Sequence, residues 1–436
     1  MVRFLAFALL VPTLLSAQTA GDTTPRAITI DEAVRLARRN SPLAVQARGD
    51  LRVARAGIKS AYFAFIPSAG VSLGSNWRRG LEYDPQEDAI ITASSLSFSN
   101  GFGMRVDLFD GGRRFFDLRA AKAQRDFADA AEVFQLYQVA LDVKRQYYDV
   151  LAAREAEQAA RAQLAEAEQQ LRVSTVRVAA GAASRSDSLR SVVTVGNARL
   201  AILDAENRVQ LANASLTRLV GTSFPVTATP EDPAVPSVEM LDQAGLLALA
   251  ERGPLVEQAG AQLSAARAQS RSALTFFLPT VTASAQRGGA GFDRRFGLDA
   301  PFNYSTGFQL SLNFPLLNGF QREENVVRAN VAADIAEAQL RDAHLFAQQE
   351  LTQALGLFRN AGQRVAVQLV SVAATEEDLR LQQQRYALGA ASVLDVLTSQ
   401  SALNQARNAL ITARFDQRVA RARLEALIGR PLTGER

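Results

Sequence analysis

The chain repeats its own sequence plan, and this repetition constrains its fold more than any other feature. The stretch VAAGAASRSDSL at residues 178–189 has the same pattern as YALGAASVLDVL at residues 386–397. The offset between their glycines, Gly181 and Gly389, is 389 minus 181, or 208, and the serine and aspartate that follow each glycine keep it. Related offsets recur along the chain, which predicts two similar halves.

The repeat divides the chain into a first structural repeat at residues 18–221 and a second at residues 239–436, joined by a proline-rich linker at residues 222–238. Residues 1–17 combine one arginine, an apolar stretch and a small-residue ending, which is typical of a secretory signal peptide. A buried N-terminal helix is the alternative. The chain has no cysteine, which excludes disulfides, thiolate metal sites and lipidation at cysteine. We therefore expect an exported protein that is not lipidated.

Long helices are predicted in both halves, because alanine, leucine and valine recur at spacings of three and four without proline. Sustained spacing of this kind indicates coiled-coil packing. The predicted helices cover about residues 42–65, 113–180, 186–220, 254–277, 321–388 and 394–428. The longest would each measure about 100 Å at 1.5 Å per residue. Each half therefore supplies one long rod against two shorter helices.

Two β-hairpins are predicted, at about residues 68–110 and 280–318, where apolar and polar residues alternate. Alternation over about ten residues is the signature of strands in outer-membrane barrels, and it is weak for a single strand. An ordinary half-buried hairpin is the alternative. Four strands in two matching hairpins of an exported chain favour the membrane.

Four strands cannot form a closed barrel, since about eight are needed before an interior can be filled. An open sheet edge in lipid would leave backbone groups unpaired, at a cost of several kcal/mol each. We therefore expect other copies of the chain to close the sheet. Three copies would give twelve strands and twelve rod-equivalents, so the predicted assembly is a homotrimer.

The chain resembles the TolC-like outer-membrane efflux proteins over essentially all of its mature length. The resemblance rests on the doubled plan, on the strand exits LFDGG at residues 108–112 and PLLNG at residues 315–319, and on the pattern RYxxGxxSxxDxL at residues 385–397. It implies a mixed, mostly α fold: a coiled-coil helical barrel in the periplasm and a transmembrane β-barrel with four strands per chain. Such proteins are passive outer-membrane channels of tripartite efflux pumps or type I secretion systems. The implied partners are a periplasmic adaptor and an inner-membrane transporter of the RND or ABC type.

The simplest explanation of the repeated motif is structural: it ends one helix and begins the next. Gly181 and Gly389 are placed at helix C′ positions, where glycine adopts left-handed backbone angles without a Cβ clash. Ser184 and Ser392, each followed by aspartate three residues later, are predicted to form capping boxes. The functional hypothesis adds that these four residues lie in turns that contact the adaptor.

A gate at the same tip is the second functional hypothesis, assigned to Asp187, Tyr386 and Asp395. The resemblance implies a hydrogen bond between Tyr386 and Asp187 that holds neighbouring helices closed, and an acidic ring at Asp395. The arginine partner in that network falls on Ala391, and a second acidic position found in some relatives holds Thr398. If six carboxylates face one bore, their repulsion would raise their pKa values and favour bound cations.

Four aromatic residues are candidates for contact with outer-membrane lipid: Trp77, Tyr83, Phe302 and Tyr304. They are predicted at strand ends, where an interfacial aromatic girdle is expected. Ordinary packing is the alternative.

Composition and motifs argue against other functions. Charge is nearly balanced at +4, with no basic patch for nucleic acid. With one histidine and no cysteine, and with no phosphate-binding loop, nucleophile elbow or metal-spaced cluster, we predict no enzyme activity, no cofactor and no metal. The competing function is a soluble periplasmic coiled-coil scaffold or adaptor. The cargo and the class of transporter stay open.

Overall fold

A computed structural model describes residues 25–84, 88–230, 243–293 and 303–432. The predicted signal peptide at residues 1–17 lies outside the described residues, as do Phe302 and part of the predicted linker. In chain order the elements are β1 (Arg26–Ile28), α1 (Ile30–Asn40), α2 (Pro42–Phe63), β2 (Ser68–Asp84), β3 (Ala89–Phe109), α3 (Arg113–Ala179), α4 (Arg185–Val220), β4 (Val226–Ala228), α5 (Gln243–Ala250), α6 (Pro254–Ala273), β5 (Thr280–Asp293), β6 (Asn303–Asn313), α7 (Gln321–Ala387) and α8 (Val393–Ile428). The fold is mostly helical.

The same order of elements occurs twice. The long helices α3 and α7 each have 67 residues, and α4 and α8 each have 36. Their starting residues are displaced by 208, from 113 to 321 and from 185 to 393. The hairpins differ: β2 and β3 have 17 and 21 residues, whereas β5 and β6 have 14 and 11. The helices therefore keep their length between the halves while the strands do not.

The helices form four columns. On one side of α3 lie α2 and α4; on the other side lie α6 and α8, which also pack against α7. Many residues in the seams are alanine, which lets helix axes approach closely because little side chain separates them. Buried examples are Ala120, Ala128, Ala140, Ala160, Ala167, Ala198, Ala343, Ala347, Ala354 and Ala406. None of the helices in the described ranges is both long and apolar enough to cross a bilayer.

A compact core surrounds the middle of α3, and it contains elements that the sequence analysis did not predict. The short strands β1 and β4 pair in parallel, and Tyr147 of α3, 1% exposed, donates its hydroxyl toward the carbonyl oxygens of Ile28 (3.1 Å) and Thr229 (2.8 Å). Strand β4 lies inside the predicted linker at residues 222–238 and is buried along its length. This part of the linker is therefore a core element.

A buried carboxylate joins the two halves beside this core. Glu425 of α8 accepts a bond from the Lys144 ammonium of α3 (2.5 Å), from the Arg421 guanidinium (3.1 Å) and from the Leu432 N–H (3.2 Å). Because three donors surround it, the charge of Glu425 is compensated although the residue is only 8% exposed. It ties α3 to the end of the second half.

The four longer strands form one antiparallel sheet in the order β2–β3–β5–β6. Its register separates two faces. The apolar face carries Val71, Leu73 and Leu81 of β2, Phe102 and Met104 of β3, and Phe308, Leu310 and Leu312 of β6, all exposed in the single chain. The other face carries Ser72, Gly101, Arg105, Ser284, Gln286, Gln309 and Ser311. The two outer strands, β2 and β6, each have one edge without a partner among the described strands.

The chain passes from sheet to helix through a tight turn built on Asp110. Its buried carboxylate accepts bonds from the Gly112 N–H (3.1 Å), the Arg114 N–H (3.0 Å) and the Arg114 guanidinium (3.0 Å). Gly111 has φ +69°, and a Cβ there would lie 2.6 Å from the Cβ of Leu278. The LFDGG exit therefore needs glycine for both conformation and space.

We expect Glu425→Ala to lower the free energy of unfolding by about 1–3 kcal/mol, because it leaves the Lys144 ammonium and the Leu432 N–H without their carboxylate partner. Denaturant unfolding of the detergent-solubilised protein measures this. Glu337→Ala is the control, since its bonds to arginine are exposed and such pairs contribute at most about 1 kcal/mol. Equal losses in the two variants would contradict the role given to Glu425.

Candidate functional site

The two turns that connect the long helices share one backbone motif. Gly181, after α3, has φ +71°, and Gly389, after α7, has φ +76°. In each turn the glycine N–H donates to the carbonyl three residues earlier (3.0 Å), and the following N–H donates five residues back (2.8 Å). These bonds define a Schellman motif, which satisfies the last carbonyls of a helix. The predicted left-handed glycines are confirmed.

Both following helices begin with a capping box. The Ser184 hydroxyl accepts the N–H of Asp187 (3.3 Å), whose carboxylate accepts the N–H of Ser184 (3.2 Å). Ser392 and Asp395 exchange the same bonds at 3.3 and 2.8 Å, and the Ser392 hydroxyl also donates to that carboxylate (2.8 Å). The predicted caps are confirmed, and both aspartates are first of all structural residues.

The two tips lie side by side because an arginine connects them. Arg177, in the last turn of α3, donates from Nη1 to the carbonyl oxygens of Tyr386 (2.5 Å) and Ala387 (2.7 Å), which belong to the last turn of α7. Its Nη2 donates to Ala182 in its own turn (3.2 Å). One guanidinium therefore binds the ends of two long helices.

Tyr386 is buried under this arginine. The guanidinium carbon of Arg177 lies 4.7 Å from the centroid of its ring, and Leu379, Val393 and Val396 pack around it. The residue is 3% exposed, and its hydroxyl has no hydrogen-bond partner in the described residues. Burial, and secondarily the charge of Asp187, raises the pKa of the Tyr386 hydroxyl.

The site differs from the sequence prediction in one contact. The predicted hydrogen bond between Tyr386 and Asp187 is absent from the described part of the chain; the Asp187 carboxylate instead accepts the Ser184 N–H in its helix cap. In the single chain, the bonds from the backbone and side chain of Ser392 lower the pKa of the Asp395 carboxyl. The raised pKa values expected for a ring of six carboxylates depend on other copies of the chain and stay a prediction.

Sequence reasoning missed the arginines that hold the tip together. Besides Arg177, Arg407 of α8 donates to Glu166 of α3 (3.0 Å) and to Glu376 of α7 (3.0 Å). The available signal was that Arg177 and Arg385 are related by the 208 offset and both precede a C-terminal glycine, where a cation is favourable. Nothing in that pattern says which helix end a guanidinium will contact.

The candidate lipid-facing aromatics are exposed but do not share one level. Tyr83 and Tyr304 lie near strand ends, and Trp77 lies in the middle of β2, contrary to the prediction. The reason is the length of β2, which has 17 residues, so that Trp77 lies seven residues before its last residue, Asp84. Phe302 lies outside the described residues.

The functional groups at the tip are charged side chains. In the described ranges, no three His, Cys, Asp or Glu residues are grouped so that they could hold a metal ion. Each chain contributes Asp187 and Asp395 to the tip, and both carboxylates hold the first turn of a helix. What this arrangement can do is position negative charge and hold helix ends together.

Comparison with known proteins identifies the class. Residues 33–222 and 247–430 match the outer membrane efflux protein family. The chain is 29% identical to Protein CyaE of Bordetella pertussis over 376 residues, covering 85% of this chain and 77% of that protein. It is 28% identical to the probable efflux pump outer membrane protein TtgC of Pseudomonas putida over 258 residues, covering 57% and 51%. The outer membrane protein VceC of Vibrio cholerae superposes with a TM-score of 0.72 at 18% identity, covering 93% of this chain and 97% of VceC.

The chain belongs to the outer membrane efflux protein family. The resemblance to TolC-like proteins is thereby confirmed. The protein is an efflux protein of the outer membrane.

We expect Tyr386→Phe to leave the free energy of unfolding unchanged or to raise it, because the variant removes a buried hydroxyl without a partner and keeps the ring beneath Arg177. Tyr147→Phe is the matched variant, since it removes an equally buried hydroxyl that is hydrogen bonded, and we expect it to lose about 1 kcal/mol. Denaturant unfolding compares them. A loss at Tyr386 as large as that at Tyr147 would show that its hydroxyl is bonded in the assembly.

Proposed function

We propose that three copies of this chain form a continuous duct, with a twelve-stranded barrel in the outer membrane and a twelve-column helical tunnel in the periplasm. The observation that carries the proposal is the four-stranded sheet with one apolar face, one polar face and two open edges. An apolar exterior and a polar interior are what a transmembrane barrel requires. A soluble scaffold would leave the same apolar face in water.

The helices support the same assembly. The columns at the two ends of the set, α4 with α2 on one side and α7 on the other, expose large apolar side chains that no element of the chain covers. Exposed residues of this kind are Leu189, Val193, Leu200, Leu203 and Leu211 of α4, and Val327, Ile335, Leu345, Phe346 and Val367 of α7. Large exposed apolar surfaces mark protein interfaces. In the trimer, α7 of one copy packs against α2 and α4 of the next.

In this function the channel is passive and performs no chemistry. A periplasmic adaptor contacts the tip turns at Gly181, Ser184, Gly389 and Ser392, which are exposed and project farthest from the sheet. An inner-membrane transporter supplies the energy and selects the cargo. Support for an efflux pump comes from the family and from the TtgC relative.

The gate of the duct is the tip formed by Asp187, Tyr386 and Asp395. In a trimer, six aspartates and three buried tyrosines surround one axis. The capping boxes fix the aspartates at the helix starts, so that their charges stay in place when the bore is narrow. A ring of carboxylates attracts cations, and multivalent ions therefore block the closed tip.

The sheet meets lipid through the exposed aromatics. Tyr304 of β6 and Trp77 of β2 lie on the apolar face at two different levels along the strands. In the pairing register, Tyr304 is level with Asn100 of β3 and Trp77 is level with Leu96, four residues away. At about 3.3 Å per residue this separation is about 13 Å along the strands. Trp77 therefore anchors farther out than Tyr304, and Tyr83 lies beyond the lipid at the outer end of the hairpin.

Cross-linking tests the trimer. The chain has no cysteine. The double variant Ser72→Cys in β2 and Gln309→Cys in β6 therefore contains two thiols, both on the polar face. We expect a bis-maleimide to join β2 of each copy to β6 of the next and to give a covalent ring of three on a denaturing gel. Each single-cysteine variant is the control and should stay monomeric. Complete thiol labelling without cross-linked product, or a dimer as the largest product, contradicts the assembly.

Channel block tests the gate. We expect Asp395→Asn to raise the concentration of a trivalent cation needed for half block by about tenfold, which corresponds to about 1.4 kcal/mol of lost attraction. Single-channel recording in planar bilayers measures it. Asp204→Asn is the control, because Asp204 lies on α4, seventeen residues from Asp187 and therefore about 25 Å from the tip. Unchanged block in Asp395→Asn would remove the acidic ring from the gate.

A further inference from the structure

The contact between Arg177 and α7 crosses between two separate helical hairpins. The carbonyls that it binds, those of Tyr386 and Ala387, belong to the end of α7, where the last four carbonyls have no partner within the helix. These carbonyls also carry the negative end of the helix dipole, which favours a cation. The Tyr386 carbonyl also accepts the Gly389 N–H (3.0 Å), so that the guanidinium adds a second donor there and brings positive charge to the end of a helix that is not its own.

The arginine is held rigidly in this position. Its planar group lies over the Tyr386 ring at 4.7 Å, and its Nη2 binds Ala182 in the α3 turn. Its Nε is buried and has no hydrogen-bond partner among the described residues, so that this part of the guanidinium is withdrawn from water. A withdrawn cation interacts more strongly with carbonyl dipoles and an aromatic ring than an exposed one does.

The equivalent arginine of the other half behaves differently. Arg385, which is Arg177 displaced by 208, is exposed, and its one hydrogen bond among the described residues goes to Ala390 of its own turn, at 3.5 Å. The capping of the local turn is thus common to both arginines. The contact with a second helix belongs to Arg177 alone of this pair.

Arg407 adds a second connection farther from the tip. It binds Glu166 on α3 and Glu376 on α7 from α8, which lies between them. Glu166 is eleven residues before Arg177, or about 16 Å along α3. Movement of the α7–α8 hairpin away from α3 at the tip therefore breaks the Arg177 contact first, while Arg407 holds the helices above it.

We propose that Arg177 is a positioning residue of the tip gate: it fixes the end of α7, and with it Tyr386, on the end of α3, and the tip opens only when this contact breaks. The inference rests on the proposed function, since it assigns the gate its connection between the two hairpins. It adds a residue that neither the repeated motif nor the acidic ring contains.

Arg177→Met tests the proposal, because methionine keeps an unbranched apolar stem and removes every donor. We expect the mean conductance of channels in planar bilayers to rise by about fivefold or more, the lower end of typical conformational coupling. Amide hydrogen exchange in the last turn of α7 should also become faster. Arg177→Lys should give an intermediate conductance, since an ammonium binds one carbonyl but lacks the planar fork.

Arg172→Met is the matched control: it removes the same charge from the same helix, and Arg172 is exposed and, within the described ranges, binds Gln169 of its own helix alone. It should leave conductance unchanged. If Arg177→Met forms trimers and accelerates amide exchange without a change in conductance, the contact is structural only and the proposal is overturned. If Arg177→Met does not assemble, an unaltered conductance in Arg177→Lys overturns it equally.

The acidic ring provides an independent measurement. If Asp395→Asn loses cation block and Arg177→Met does not change conductance, the role of the arginine is refuted and the acidic gate is supported. Unchanged block in Asp395→Asn together with raised conductance in Arg177→Met refutes the acidic ring and supports the arginine.

Discussion

Backbone hydrogen bonding at the edges of the β2–β3–β5–β6 sheet governs the rest of this architecture. A strand edge in water is satisfied by solvent, whereas in a bilayer each unpaired group costs several kcal/mol. One chain supplies four strands, so that its two edges can be satisfied in lipid only by neighbouring copies. In the proposed trimer, the rotation that closes the sheet also covers the apolar sides of α4 and α7. Membrane insertion and assembly are therefore coupled in the proposed trimer.

At the opposite end the same residues serve two purposes. Ser184 with Asp187, and Ser392 with Asp395, begin helices. Their two capping boxes bind four backbone N–H groups that would otherwise lack a partner at a helix start. The Asp395 carboxylate stays charged while it caps its helix, as its lowered pKa indicates. The charge of the proposed gate is thus positioned by ordinary helix chemistry, and the arginine contact of Arg177 supplies the connection between hairpins.

Much of the fold was predictable, because long helices with regular apolar spacing and strands with strict alternation carry a strong period. The elements missed were β1, β4, α1 and α5, with three to eleven residues each, which are too short to show one. β4 was assigned to the linker because its neighbours are prolines, yet it is buried against β1. The predicted hydrogen bond of Tyr386 with Asp187 is absent from the described residues, where the Asp187 carboxylate caps its own helix.

By itself the sequence determined the doubled plan, the glycine turns and the serine caps, since these depend on local conformation and on periodic patterns. The class of protein followed from the resemblance of its motifs to those of a known family. Only the tertiary structure decided which side chains meet across helices: Arg177 with the end of α7, Arg407 between Glu166 and Glu376, and Lys144 with Glu425. The physical reason is distance along the chain. A guanidinium can bind any acceptor within its reach, and packing alone brings residues separated by some 200 or more positions together.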